Sequence, residues 1–194
     1  MLGPLLQLAK IFMYLASSIE EIPPVRHPCA LSIGSFDGVH LGHQALISAL
    51  KVKASPQGTV AVLTFTTHPS SLFHPHSPVS LIIPVDERIR LLFSYGVDLV
   101  IAIPFDKSLS NISYDLFLTS LKSHLPFDHL VLGKGAVLGH SRQGTQERIE
   151  ALSKTLGFEA TYLEKQLPIS SQTIRQLIKE GRFEEVSQAL GRPF

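Results

Sequence analysis

The sequence predicts an α/β protein built on an open parallel sheet covered by helices. Short, near-continuous apolar runs rich in Val, Ile and Leu recur along the chain, as in strands buried on both faces. Helix-period segments alternate with them, and glycines punctuate the ends of both. That alternation is the signature of βαβ units, whose ligands bind where the first loops leave the carboxyl ends of the strands.

The chain opens on sixteen residues with a single charge, Lys10. Pro4 and Lys10 interrupt the layout of an export signal, residues 17–21 (SSIEE) offer no small-residue cleavage site, and no stretch reaches the roughly 20 apolar residues needed to cross a bilayer. Residues 1–18 are therefore expected as an N-terminal extension or first segment, ahead of one soluble domain over 19–194. Strands are expected at residues 30–34 (ALSIG), 59–65 (TVAVLTF), 97–105 (VDLVIAIPF), 129–133 (HLVLG) and 158–163 (FEATYL). Between them lie helical segments at 44–53, 86–95, 114–124 and 146–156, with Ser113 as an N-cap and Gly96 and Gly157 as C-terminal stops. Residues 66–84, rich in Pro, Ser and His, read as a long loop. Two short helices close the chain: residues 169–175 lead into one that runs through Lys179 and stops at Gly181, and residues 182–190 form the other.

Of 194 residues, 44% are hydrophobic and 17% charged, with 17 basic against 16 acidic side chains. A chain of this size and polarity buries its own core and is not disordered. A net charge of +1 without a basic patch argues against gripping a phosphate backbone, so no nucleic-acid partner is expected. The single Cys29 excludes an internal disulfide, no Cys/His spacing fits structural zinc, and a cytoplasmic location fits best.

The most informative stretch follows the first strand: Gly34, Ser35, Phe36, Asp37, Gly38, Val39, His40, Leu41, Gly42 and His43. Its glycines permit a tight turn and close approach to a ligand, and the free N–H groups of the following helix favour an anion. His40 and His43, three apart, can face the same side and donate to phosphate oxygens. No Gly-Lys-Ser/Thr follows, so this is not a P-loop. A glycine-rich turn with two ordinary histidines is the competing interpretation.

Residues 33–44 (IGSFDGVHLGHQ) resemble the nucleotide-binding signature of prokaryotic FAD synthetases, in the module that joins AMP to FMN. Residues 64–69 (TFTTHP) resemble that family's Thr-Phe-x-x-His-Pro motif, 104–106 (PFD) its Pro-Phe-Asp strand end, and 169–175 (ISSQTIR) its Ser-Ser-Thr-x-x-Arg motif; residues 185–194 resemble the end of the module. The resemblance implies a Rossmann-like nucleotidyltransferase with helices on both faces of the sheet, using ATP with Mg²⁺ and FMN as substrates to make FAD and pyrophosphate. It gives His40, His43, Ser171 and Arg175 the catalytic roles on the phosphates. It assigns Gly34, Ser35, Phe36, Asp37, Gly38, Gly42, His68, Pro69, Gly133, Ser170 and Gln172 to binding, with no protein metal ligand.

Each has a plainer competitor. His68 before Pro69 is also a strand-end turn, Ser170 and Ser171 also an N-cap, and Arg175 also a solvated side chain. Asp37 is favoured as a brace of its own loop. Asp106 is undecided, and Asp86, Glu87, Arg88 and Arg90 read as a solvated helix face.

Three departures from the family pattern stand out. Where the family carries Gly-x-Asp-Phe-x-Phe-Gly beside the flavin, residues 133–139 read GKGAVLG, losing both aromatics; a basic, glycine-ended tail (residues 140–144, HSRQG) is kept. This keeps open a different phosphate-bearing acceptor, or a nucleotide- or flavin-binding relic with weak catalysis. Gln172 stands where the family has Thr. The riboflavin kinase module of most relatives is not expected within these 194 residues, which leaves FMN supplied by a separate riboflavin kinase, a shortened chain, or a relic as the open readings. Family chains start shortly before residues 20–24 (EEIPP), which makes Met13 rather than Met1 the expected start.

Overall fold

The computed structural model describes residues 13–74, 76, 78–164 and 168–194. The apolar runs form strands β1 (Tyr14–Ala16), β2 (Cys29–Ile33), β3 (Thr59–Phe65), β4 (Leu99–Ile103), β5 (His129–Gly133) and β6 (Glu159–Leu163). All pair in parallel, in the order β1-β4-β3-β2-β5-β6. Helices are α1 (Leu41–Ala54), α2 (Pro69–Phe73), α3 (Val85–Ser94), α4 (Lys107–Ser110), α5 (Tyr114–His124), α6 (Gln146–Leu156), α7 (Ser171–Lys179) and α8 (Phe183–Leu190).

Strand residues alternate between two cores because successive side chains leave a strand on opposite faces. On one face Ala30, Val60, Val62, Val100 and Val131 pack with Ile47 and Leu50 of α1, Leu92 of α3, Ile174 of α7 and Val186 of α8. On the other, Leu31, Leu63, Ile101 and Leu130 pack with Leu118 and Leu121 of α5 and Ile149 of α6. Burial on both sides explains the unbroken apolarity of the strands. Each fully buried Leu or Ile contributes about 1.5–3 kcal/mol. From β2 the chain moves to β3 and β4 on one side, and β5 and β6 lie on the other. The order therefore reverses between β2 and β5, which opens a crevice at their carboxyl ends.

Several elements differ from expectation. Residues 14–16, placed in the N-terminal segment, form an edge strand on β4, with Tyr14 N–H donating to the Asp98 carbonyl at 2.9 Å; Met1 lies outside the described residues. The strand expected over 97–105 is shorter. Val97 N–H still turns back to Leu92 at the exit of α3, the Asp98 carboxylate caps the Val60 N–H at 2.9 Å, and Pro104 has no N–H to continue the ladder. Helix α1 starts at Leu41 rather than 44 because His40 caps it. The 66–84 loop contains α2, with Pro69 at its first turn. Asp106 is the N-cap of α4, accepting the Leu109 N–H at 2.8 Å.

Candidate active site

The segment leaving β2 is held in an unusual backbone. Phe36, Gly38 and Val39 have φ of 48°, 79° and 40°. A β-branched residue in the left-handed region is strained by about 1–3 kcal/mol and persists only where its surroundings fix it. Here they do. The buried Asp37 carboxylate accepts the Ile82 N–H at 3.0 and 3.2 Å and pairs with Arg175, so its role is the expected brace rather than a free ligand. Ser171 Oγ donates to the Asp37 carbonyl at 3.1 Å. Gln44 Nε2 donates to the Val39 carbonyl at 3.0 Å and to Leu190 at 2.8 Å. Position 38 favours glycine, since any other residue would be strained at its φ of 79° and its Cβ would press 3.1 Å from two Ile82 carbons.

The two histidines begin α1. His40 is the N-cap, its Nδ1 accepting the His43 N–H at 3.3 Å. An acceptor Nδ1 puts the proton of a neutral ring on Nε2. The two rings stack with centroids 3.7 Å apart and an interplanar angle of 16°, and His43 meets the Phe36 ring at 4.9 Å. Glycine at 42 makes room: a Cβ there would lie 3.1 Å from His40 Cε1. Burial pushes His40 down to about 4, against the nearby Asp37 carboxylate. Burial also holds His43 well below its usual range, helped by His40 and Arg88. Both rings are thus neutral donors at pH 7.

This arrangement links the pair to stability. The folded protein disfavours protonated His40, whereas the unfolded chain titrates near 6.5. The unfolded state takes up protons first, so the contribution is full above about pH 6.5 and is lost as pH falls toward 4, at up to about 1.4 kcal/mol per pH unit for each such ring. Urea midpoints are expected to fall between pH 7 and pH 5, and less so in His40→Asn. An equal fall in that variant would separate the effect from this ring.

Arg88 is a correction to the sequence expectation. Asp86 and Arg90 do form an exposed pair on α3, but Arg88 is 1% exposed. Its Nη1 donates to the Ser35 carbonyl and, at 3.3 Å, to Thr64 Oγ1. The helical period carried the signal. Arg88, Leu91 and Leu92 share the inward side of α3, whereas charge alone suggested solvent.

The remaining candidates fall in three groups. His68 caps α2 through Nδ1, which accepts the Ser70 N–H at 3.2 Å. Its titration is lowered by burial and by Arg175, with Asp37 and Arg88 also in range, so β3 brings it to the same charged cluster. Ser170 caps α7, accepting the Thr173 N–H at 3.1 Å, while Arg175 reaches back to the Ser80 carbonyl at 2.8 Å. Gln172 is exposed on α7 and stands apart.

Two cavities open at the carboxyl ends of the strands. One of about 490 Å³ lies along the N-terminal half of α1, lined by His40, His43, Leu46, Gly133, Leu163 and Ser171. The other, about 550 Å³, is mainly apolar and is lined by Phe65, Pro69, Phe73, Phe105, Leu138 and Arg142. Phe105 packs edge-on to Phe65 at 5.1 Å and to Phe73 at 6.4 Å. A doubly bridged hydroxyl fixes Phe105: Thr67 Oγ1 donates to its carbonyl at 3.0 Å and accepts its N–H at 2.8 Å. As for a divalent cation, Asp37 is already committed, and no cluster of three His, Cys, Asp or Glu that could hold a metal occurs among the described residues. The loop therefore does not fit a protein-held metal.

A parallel sheet with a histidine-capped helix at its switch point defines an α/β protein of the nucleotidyltransferase-like fold. The chain belongs to the FAD synthetase family, which it matches over residues 22–176. It is 34% identical over 170 residues to a bifunctional riboflavin kinase/FMN adenylyltransferase of Listeria monocytogenes, covering 84% of this chain and 54% of that protein. It is 31% identical over 188 residues to the protein of the same name in Haemophilus influenzae, covering 94% and 61% respectively. It thus spans little more than half the length of these relatives. In fold it is similar to a crystal structure titled macrolide-efflux protein from Streptococcus pneumoniae, with TM-score 0.79 at 22% identity over 93% of this chain and 60% of the other. It also resembles pantoate-beta-alanine ligase from Francisella tularensis, with TM-score 0.54 at 14% identity over 93% and 85%.

Proposed function

We propose that the chain transfers AMP from ATP to FMN, forming FAD and pyrophosphate. The carrying observation is the pair of cavities flanking the strand ends, one beside the histidine-capped helix and the other floored by aromatic rings. The first suits a nucleotide, with the base between α1 and β6 and the triphosphate toward His40, His43 and Ser171. The second suits a planar ring system. Phe65, Phe73 and Phe105 supply the aromatic surface that residues 133–139 lack, which favours a flavin over another phosphate-bearing acceptor.

An FMN phosphate oxygen attacks the α-phosphorus of ATP in line, and the bond to the departing pyrophosphate oxygen breaks. The nucleophile is already anionic at neutral pH, so no general base is needed and the protein's task is positioning and charge compensation. His40 and His43, neutral by burial, donate hydrogen bonds to phosphate oxygens as charge moves onto pyrophosphate. Ser171 lines the same cavity and faces the phosphates, whereas Arg175, with Nε on the Ser80 carbonyl and Nη2 on Asp37, acts mainly by holding the loop and leaves only Nη1 to turn toward them. Mg²⁺ would arrive with the triphosphate, which suits a cation that keeps most of its waters. The main-chain N–H groups and glycines of residues 34–42 accept the nucleotide's close approach. Gln172 adds at most an outer donor.

FMN would come from a riboflavin kinase activity, which the named relatives carry in their titles. The lone, buried Cys29 supports a reducing cytoplasm, and no described helix is long and apolar enough to cross a membrane. Purified protein with ATP and Mg²⁺ is expected to release pyrophosphate only when FMN is present, with FAD as the chromatographic product. Release with another phosphate ester and none with FMN would overturn the acceptor assignment, and bound ATP without any release would overturn the transfer.

A further inference from the structure

We propose that Arg88 is a positioning residue for this transfer: its guanidinium, clamped on the Ser35 carbonyl, seats the Phe36–His43–His40 ring stack and sets a permanent positive charge on the buried side of the histidine pair. The inference rests on the transfer reading above and adds a residue from α3, outside every motif of the loop.

The clamp is geometric. Arg88 Nη1 and Thr64 Oγ1 both donate to the Ser35 carbonyl, the latter at 2.9 Å. A trans peptide points its C=O and N–H in opposite directions, so drawing this carbonyl inward turns the Phe36 N–H outward. It also fixes where the Phe36 ring leaves the backbone. That ring packs on His43, and His43 stacks on His40. A shift at Ser35 is therefore passed to both histidines through direct contacts.

The charge has no ordinary structural purpose. Arg88 is almost wholly buried, yet its Nε and Nη2 have no protein partner. A buried cation left so poorly satisfied costs stability, which an apolar residue would recover. Asp37 from the loop, His68 at the start of α2 and His43 at the start of α1 lie within its electrostatic reach, Arg175 of α7 meets the same Asp37 and His68, and His40 stacks on His43. Two guanidiniums face one carboxylate, and Asp37 already pairs with Arg175. With the three histidines held toward neutrality, one positive charge is left over in the buried region beside His43. Such a charge favours a growing anion on the far side of the paired rings and disfavours protonation of His43.

Arg88→Met and Arg88→Lys separate the two roles, with folding followed by thermal melts. In Arg88→Met, kcat is expected to fall about 100-fold, the scale of a displaced catalytic group, while KM for ATP changes far less. The His43 ring signal in NMR is expected to titrate at higher pH than in the parent protein. In Arg88→Lys the charge remains without the fork, so the His43 titration should stay low and kcat should recover only in part. Parental kcat in Arg88→Met, or the same His43 titration in the Met and Lys variants, would overturn the proposal. Should Arg88→Met not fold, Arg88→Lys and Thr64→Val decide it: both are expected to lose kcat with the His43 titration unmoved, and parental kcat in both would refute the clamp. The ring titrations need no FMN, so failure of the flavin assignment is read separately, from the absence of FAD in the parent protein.

Discussion

His43→Ala is expected to reduce turnover by about 100- to 1,000-fold, the loss typical when one donor to a developing oxyanion is removed. FMN affinity should change only a few-fold, because the apolar cavity that suits the flavin does not include this ring. On the proposed transfer, the imidazole, held neutral by burial, would contribute a directed N–H that matters most once charge has moved onto pyrophosphate. That places its effect in kcat rather than in binding. Removing the ring also deprives His40 of a partner stacked at 3.7 Å and Phe36 of one at 4.9 Å. Some stability is lost as well, and melts run beside the kinetics keep the two effects apart. His43→Asn, which retains a donor of shorter reach, should recover part of the rate. Unchanged turnover in His43→Ala would remove the ring from the mechanism.

The second large effect is on stability. Asp37→Ala is expected to cost about 3–5 kcal/mol, the scale seen when one partner of a buried ion pair is removed. The carboxylate is fully buried, pairs with Arg175 and accepts the Ile82 N–H. Its loss strands a guanidinium, a main-chain donor and the nearby Arg88 together. Asp37→Asn keeps an acceptor for Ile82 while losing the charge, so it should fall between the parent and alanine. Denaturant midpoints measure both. An alanine variant within 1 kcal/mol of the parent, a margin of about fivefold in the folding constant, would show that the brace is dispensable.

Much of this was legible in the sequence because strand burial and helix period are local properties. Residues 59–65 and 129–133 form strands as their unbroken apolarity requires, and Ser170 caps α7 as its place before a helical run requires. The histidine-glycine spacing also has a local cause, since a Cβ at 42 would crowd the His40 ring at 3.1 Å. What escaped depends on distant partners. Tyr14 to Ala16 carry too few residues to show a period, and they form a strand only because β4 offers an open edge. Arg88 is as charged as Arg90 on the exposed side of the same helix, yet the Ser35 carbonyl and Thr64, far away in sequence, take it inside. Asp37 could be read as a brace, but nothing in the residues near it named Arg175 or Ile82 as what it braces against.

The loop between β2 and α1 is finished by residues far downstream of it in sequence. Ser171 and Arg175 supply its hydrogen-bond partners across sequence separations of 134 and 138 residues, and the Leu190 carbonyl accepts from Gln44 of α1 across 146. During synthesis the central strands can pair and α1 can pack while these contacts are still missing. Closing so long a span is entropically slow compared with the local βα steps. The Phe36 to Val39 backbone, with Phe36 and Val39 at positive φ, is therefore expected to settle only once α7 has docked against it. On the proposed transfer, the loop that would meet the phosphates is thus completed by residues distant in sequence, and a chain that has formed most of the sheet can still lack its braced form.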